Sequence, residues 1–182
     1  MNERTDNQLY QEFLEGNQRS FETIVIRHKD KIIYFLQRYV KSIDIAEDLA
    51  QDVFVYILIH RENYDFKYSL KTYLYTIAKS KALNYIKREK RITNIDEEQF
   101  YDIYELEEKV FNNEKANNLR NSIKKLKVDY QSAIYLADIE ELSYQEIAKI
   151  LNKNMGQVKS LIHRARKALS DIIRKEAEKY EG

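Results

Sequence analysis

Apolar residues recur along this chain three or four positions apart, with polar residues filling the other faces, the spacing of amphipathic helices. A first segment, Asp6 to Glu15, sets Leu9 and Phe13 one turn apart and meets Gly16 as its stop. Ser20 is the expected cap of a longer helix carrying Phe21, Ile24, Val25, Ile32, Phe35 and Leu36. A third helix is expected from Ile43 to Ile59, and a fourth from Leu70 to Arg91 with Leu74, Ile77, Ala78 and Ile86 inward. From Ile92 to Asn118 the periodicity weakens and acidic residues dominate, which reads as a linker, helical in part from Leu106 onward. A second compact domain follows, with helices expected at Leu119–Leu126, Asp129–Ile139, Tyr144–Leu151 and Gly156–Glu178. The expected fold class is all-α: two small helical domains, 1–91 and 119–182, joined by an acidic linker, 92–118.

Composition agrees. The chain has 182 residues, 43% of them hydrophobic, with no proline and three glycines, which disfavours sheets built on tight turns. It has no cysteine, so disulfides and cysteine zinc sites are excluded. No apolar run approaches the ~20 residues of a membrane helix. Met1 to Gln8 is polar and partly acidic, unlike a signal peptide, so a cytoplasmic protein is expected.

A formal net charge of +1 hides a segregated distribution. Lys79, Lys81, Lys87, Arg88, Lys90 and Arg91 stand together against Glu89 alone, and from Asp96 to Glu108 the charges are acidic. Lys159, Arg164, Arg166, Lys167, Arg174 and Lys175 then turn the chain basic again. Two basic regions around an acidic one suggest two nucleic-acid contacts and a stretch kept off phosphates.

The sharpest local signal is LSYQEIAKILNKNMGQVKSLIHRARKAL, from Leu142 to Leu169. Ser143 and Glu146 have capping-box spacing, and Ile147, Ala148, Ile150 and Leu151 form an inward face. Asn152 suits a left-handed helix end, Asn154 suits the next cap, and Met155 is expected to plug the space between the two helices. On the second helix, Val158, Leu161, Ile162, Ala165, Leu169, Ile172 and Ile173 share one face. Lys159, Ser160, His163, Arg164 and Lys167 take the opposite one. A basic helix face alone is usually just solvated. The short turn and the capped helix before it make this one a DNA-reading helix-turn-helix.

In AEDLAQDVFVYI, Ala46, Leu49, Ala50, Val53, Phe54 and Ile57 face a core, while Asp48, Gln51 and Asp52 form one exposed patch. On spacing alone that patch is an ordinary solvent face. The next stretch, His60 to Arg91, interleaves Tyr64, Phe66, Tyr68, Tyr73, Tyr75 and Tyr85 with Lys67, Lys71, Lys79, Lys87 and Arg88. Single-stranded DNA binding needs this mixture, because aromatic faces stack on bases while cations track phosphates. Several of the tyrosines also suit a core, Tyr73 and Tyr85 above all.

Over nearly its whole length the sequence resembles the extracytoplasmic-function sigma factors of RNA polymerase. EGNQRSFETI, AEDLAQDVF, YLYTIAKSKALNYIKREKR and LSYQEIAKILNKNMGQVKSLIHRARKAL are similar, in that order, to the family's successive conserved segments. The resemblance implies a sigma region 2 domain and a sigma region 4 domain. It implies no catalysis, no cofactor and no metal. The chain would direct core polymerase to promoters, in a stress or cell-envelope response.

Residue by residue, Asp48, Gln51 and Asp52 stand where the family docks on the clamp coiled coil of the polymerase β′ subunit. Arg61, Asn63, Tyr64 and Lys67 stand in the loop that captures an unstacked −10 base. Lys79, Asn84, Lys87, Arg88 and Arg91 would meet the −10 strand, and Lys159, Ser160, His163, Arg164 and Lys167 the −35 element, with Lys167 on phosphate. The other implied partners are the polymerase β flap and an anti-sigma factor, commonly membrane-anchored. No homo-oligomer is expected, as no heptad seam is sustained. The acidic Asp96, Glu97 and Glu98 would run near the polymerase's nucleic-acid channel.

Several positions depart from the family pattern. Tyr73 replaces a usual tryptophan, Ser80 an asparagine, Asn84 an aspartate and Gln157 a threonine. A proline usual after Leu126 is missing, as are glycines usual at Glu141 and Asn152. Two other function classes compete. A stand-alone helix-turn-helix regulator explains Ser143–Leu169 but not the aromatic and basic block. A carboxylate-bridged metal enzyme has only Glu47, Asp48, Asp52 and His60 to draw on, without the Glu-x-x-His pairs such bundles use. His28 and His60 read as packing or surface residues, and His163 as part of the DNA face.

Overall fold

The computed structural model describes residues 4–40, 42–93 and 114–180, and these form two compact units, Met1–Leu106 and Glu107–Gly182. Regular structure among the described residues is helical throughout. Most of the acidic stretch, including Asp96, Glu97 and Glu98, lies outside the described residues.

In the first unit, α1 (Asp6–Leu14) opens on a capping box. Thr5 Oγ1 accepts from the Gln8 amide at 3.3 Å, and Gln8 Oε1 accepts from the Thr5 amide at 2.8 Å. Gly16, at φ 101°, makes the left-handed turn that a side chain would resist. Next, α2 (Gln18–Val40) starts three residues earlier than a cap at Ser20 would place it. Asn17 is the cap instead, its Oδ1 taking the Arg19 amide at 3.1 Å. Ser20 lies inside the helix, fully buried, and donates its hydroxyl to Glu12.

Ser42 caps α3 (Ile43–Ile59), a single 3-10 turn follows at Arg61–Asn63, and Ser69 Oγ takes the Thr72 amide to start α4 (Leu70–Thr93). The long α2 packs against α1, α3 and α4, and α3 also meets α4. Leu9, Tyr10, Ile24, Phe35, Leu36, Ala50, Val53, Ile57, Leu74 and Ala78 are sealed between them. Each such leucine, isoleucine or phenylalanine is worth about 1.5–3 kcal/mol of burial. The alanines at 46, 50, 78 and 82, all fully buried, let the helix axes approach closely.

The second unit holds α5 (Glu114–Lys124), which begins inside the segment expected to be linker, and α6 (Val128–Ile134) running on through a π turn, Tyr135–Ile139. It continues with α7 (Tyr144–Leu151) and α8 (Met155–Tyr180). Leu126, Ile134 and Ala165 are packed with Tyr130, Ala168, Leu169 and Ile172, joining α6 to the middle of α8. Ser122 donates to Glu176 Oε2, and Lys125 pairs with the same carboxylate, so α5 is tied to the end of α8.

Two apolar expectations for this unit are corrected. Met155 is 51% exposed rather than a plug. It is the first residue of α8, where its side chain leans outward, and Ile147, Leu151, Val158, Leu161 and Ile162 fill the space between α7 and α8. Ile173 is 42% exposed, because the periodic face rotates off the unit near the end of so long a helix.

Candidate protein and nucleic-acid interfaces

On α3 the buried and exposed faces separate cleanly. Leu49, Ala50, Val53 and Phe54 are buried, while Asp48, Gln51 and Asp52 are exposed together on the other side. Among the described residues no hydrogen bond or ion pair occupies these three side chains. The same stripe continues one and two turns on with Val55 (51% exposed), Leu58 (48%) and Ile59 (68%), so the face is acidic at one end and apolar at the other. Sequence reasoning took only the polar half. The signal for the rest was an excess of apolar residues, since Val55, Leu58 and Ile59 fall outside the stripe that the core already uses.

Beyond α3, the loop from His60 to Ser69 is built on an aromatic cluster. Tyr64 is 6% exposed, so of the four loop candidates it is the one the structure places inside. Its ring packs against Tyr10, Phe66 and Tyr73, with centroids 4.7, 4.6 and 5.3 Å away. The Tyr64 hydroxyl sits 2.8 Å from both Asn7 Oδ1 and the Tyr68 carbonyl, and donates between them. Burial pushes that hydroxyl up to about 12, with the carboxylates of Asp6 and Asp65 adding to the effect. Arg61, Asn63 and Lys67 are exposed around it. Phe66, 41% exposed, is the aromatic ring that this loop presents to solvent.

Along α4, Asn84, Lys87, Arg88 and Arg91 are exposed at the i, i+3, i+4, i+7 spacing of one helix stripe. Lys79 is half-buried and lies off that stripe by roughly 80° or more of helix rotation. The Arg88 guanidinium lies over the Tyr85 ring at 5.4 Å. Tyr73 and Tyr85 are both half-buried, in keeping with a packing role. His60 stacks on Tyr56 at 4.3 Å, while His28 is 3% exposed.

In the second unit both helix starts are locked. Ser143 and Glu146 form the expected capping box on α7, and Asn152 takes the left-handed conformation at φ 53°. Asn154 and Gln157 make a second reciprocal pair: Asn154 Oδ1 accepts from the Gln157 amide at 2.9 Å, and Gln157 Oε1 from the Asn154 amide at 3.0 Å. Gln157, which departs from the family pattern, thus closes a box that a threonine would leave half-made. Lys159, Ser160, His163, Arg164 and Lys167 are all exposed within one arc of about 140°. Lys153, Asn154, Gln157, Ser160 and Arg164 line a concave surface beside the turn.

Arg166 borders this arc, about 20° of helix rotation from Lys159. Its guanidinium reaches the Asp138 carboxylate at 2.5 and 3.2 Å, and that hydrogen bonding raises its already high pKa. The pair is exposed and holds the Arg166 side chain on the π turn, while the five candidate residues point to solvent because Val158, Leu161, Ile162 and Ala165 bury the opposite arc of α8.

Among the described residues no group of three or more His, Asp or Glu side chains is placed to hold a metal ion. Nor is any described helix long and apolar enough to cross a membrane.

Comparison with known proteins places these features in a family. The Sigma-70 region 2 family model matches residues 24–92, and the Sigma-70 region 4 model matches 116–169. The ECF RNA polymerase sigma factor SigW of Bacillus subtilis is 33% identical, over 88% of this chain and 92% of its own length. The ECF RNA polymerase sigma-E factor of Escherichia coli K12 is 29% identical, over 93% and 94%. Among solved structures, the Bartonella quintana sigma factor RpoE, in complex with the anti-sigma factor NepR, has the same fold. That match has a TM-score of 0.70 at 19% identity, over 86% of this chain and 98% of the other. CnrH, in complex with the cytosolic domain of CnrY, gives 0.67 at 22% identity, over 93% and 97%. The stand-alone regulator and the metal enzyme account for neither match to the first unit nor the near full-length relatives. This chain belongs to the extracytoplasmic-function sigma factors, transcription initiation factors rather than enzymes.

Proposed function

We propose that this sigma factor docks on the β′ clamp coiled coil of core RNA polymerase through Asp48, Gln51 and Asp52. Residues 1–91 then open and read the −10 element, 119–182 read the −35 element beside the β flap, and 92–118 link them. The observation that carries the reading is the exposed α3 face: three polar side chains without partners among the described residues, backed by a sealed core. A carboxylate pair with a free amide between them suits a basic, hydrogen-bonding partner helix.

Promoter contact divides by chemistry. Asn84, Lys87, Arg88 and Arg91 follow the melted −10 strand, while Arg61, Asn63 and Lys67 surround the captured base. Extruding a base costs a few kcal/mol, which an aromatic and polar pocket offsets. Lys159, Ser160, His163 and Arg164 enter the −35 major groove and Lys167 takes phosphate. An anti-sigma factor covers these faces in the resting cell, held at the membrane, while the sigma factor itself works in the cytoplasm. Support for such a partner is that one structural neighbour is a sigma factor in complex with an anti-sigma factor.

The test is binding to sigma-free core polymerase by the wild type and by Asp52→Arg. Tight binding by the wild type with at least a ~10-fold loss in the variant is expected, as a like charge at a complementary interface costs several kcal/mol. Equal binding by both would move the docking site, and no binding by folded wild type would overturn the proposal.

A further inference from the structure

The first helix, α1, lies outside the residues matched by the region 2 family model. It nevertheless makes several polar ties to the rest of its unit, two of them to the loop proposed to capture a −10 base. The Tyr10 hydroxyl donates to the Arg61 carbonyl at 2.9 Å, across 51 positions of sequence. Asn7 Oδ1 receives the Tyr64 hydroxyl at 2.8 Å. Asp6 anchors the same turn to α2 through Arg27 at 2.7 Å and His28 at 2.8 Å. The Tyr10 ring, fully buried, also forms an edge-on floor beneath Tyr64 and Phe66, at 4.7 and 6.1 Å.

We infer that Tyr10 is a positioning residue for promoter recognition: its hydroxyl on the Arg61 carbonyl and its ring under Phe66 set the shape in which the loop meets an unpaired base. This rests on the −10 reading above. Arg61 to Asn63 is one turn of 3-10 helix with no side-chain cap, and the bonds within the loop are local, such as the Asn63 amide on the His60 carbonyl, so its place against the core needs a restraint from outside. A hydrogen bond from the adjoining core supplies that restraint, and it fixes backbone, leaving the Arg61 side chain outside. Phe66 meets Tyr10 edge-on and Tyr64 at a tilt and is 41% exposed, so a base can stack against the part of the ring left open. Tyr10 touches no DNA itself. It acts by keeping Arg61 and Phe66 at a constant separation.

The experiment uses holoenzyme reconstituted from the full chain and core polymerase, selecting from bubble duplexes randomised across the −10 segment. Tyr10→Phe keeps the ring and removes the bond. Gln8→Ala opens the Thr5 capping box and loosens α1 without touching the loop. The expected result is that Tyr10→Phe binds core polymerase as the wild type does. It holds the selected bubble about three- to tenfold more weakly, the worth of one hydrogen bond, and its base preference flattens at one position. Gln8→Ala should lower the melting temperature and leave the preference intact. Unchanged selection by Tyr10→Phe overturns the inference, and so does equal flattening by both variants, which would reduce Tyr10 to general stability. A wild-type holoenzyme that selects no −10 base overturns this inference together with the −10 reading it rests on.

Discussion

Asp6 faces the buried His28 across a 2.8 Å contact between Oδ2 and Nε2, which joins the first turn of α1 to the middle of α2. Burial by itself would raise the Asp6 carboxyl. The hydrogen bonds and charges of His28 and Arg27 more than offset it and hold the group at about 2. Since this lies below the unfolded value of 3.8, the carboxylate adds stability that is complete above about pH 4 and lost as pH falls toward 2. In Asp6→Asn that acid-sensitive increment should be missing. The contribution is about 1–2 kcal/mol, as solvent screens part of the pair. Urea unfolding of both proteins at several pH values between 2 and 7 measures it, and parallel curves would refute it.

Tyr73 carries a buried hydroxyl with no hydrogen-bond partner among the described residues, and burial raises its pKa further. An unmet buried hydroxyl costs about 1–3 kcal/mol. Tyr73→Phe keeps the ring against Tyr64 and removes the cost. Its urea midpoint should therefore rise, by about 1 kcal/mol of stability. A fall would mean that the hydroxyl is in fact satisfied.

Glu141 and Asn152 both adopt left-handed backbone, at φ 55° and 53°. Glutamate has no local hydrogen bond that favours this region, whereas asparagine tolerates it. Glu141→Gly should stabilise the second unit by about 1 kcal/mol, and Asn152→Gly should change it by only a few tenths. Thermal melts of the two variants against wild type decide the order.

Under the −35 reading proposed above, the basic face of α8 should separate into two roles by salt dependence. Lys167→Ala should weaken −35 binding evenly across sequences and lower the slope of log K against log salt by about 1. Arg164→Ala should change which −35 sequences are preferred. Titrations of holoenzyme on a panel of −35 variants, at several salt concentrations, distinguish the two. Equal loss of preference in both variants would place Lys167 on a base edge.

Helix positions were legible in the sequence because apolar periodicity and caps are local. The Ser143–Glu146 box, the Asn152 turn and the Asn154 cap all lie within four residues of what they bond. Ser20 departs from its expected role for the same reason: a serine before an apolar run looks like a cap, but Asn17, three residues earlier, is the acceptor the helix uses. Tyr64 was legible as part of the loop but not as a buried ring. Its partners Tyr10 and Asn7 stand more than fifty positions away in sequence.

By itself the sequence determined the all-helical class, the two basic faces around an acidic stretch, the helix-turn-helix and the polar patch of Asp48, Gln51 and Asp52. These follow from period, capping chemistry and charge, which neighbouring residues carry without reference to the fold. Only the tertiary structure decided that Arg166 pairs with Asp138 across 28 positions, that Met155 stays outside, and that α1 braces the loop at Arg61. Those outcomes depend on which distant groups are brought within about 3 Å, a hydrogen-bond range that no local pattern specifies.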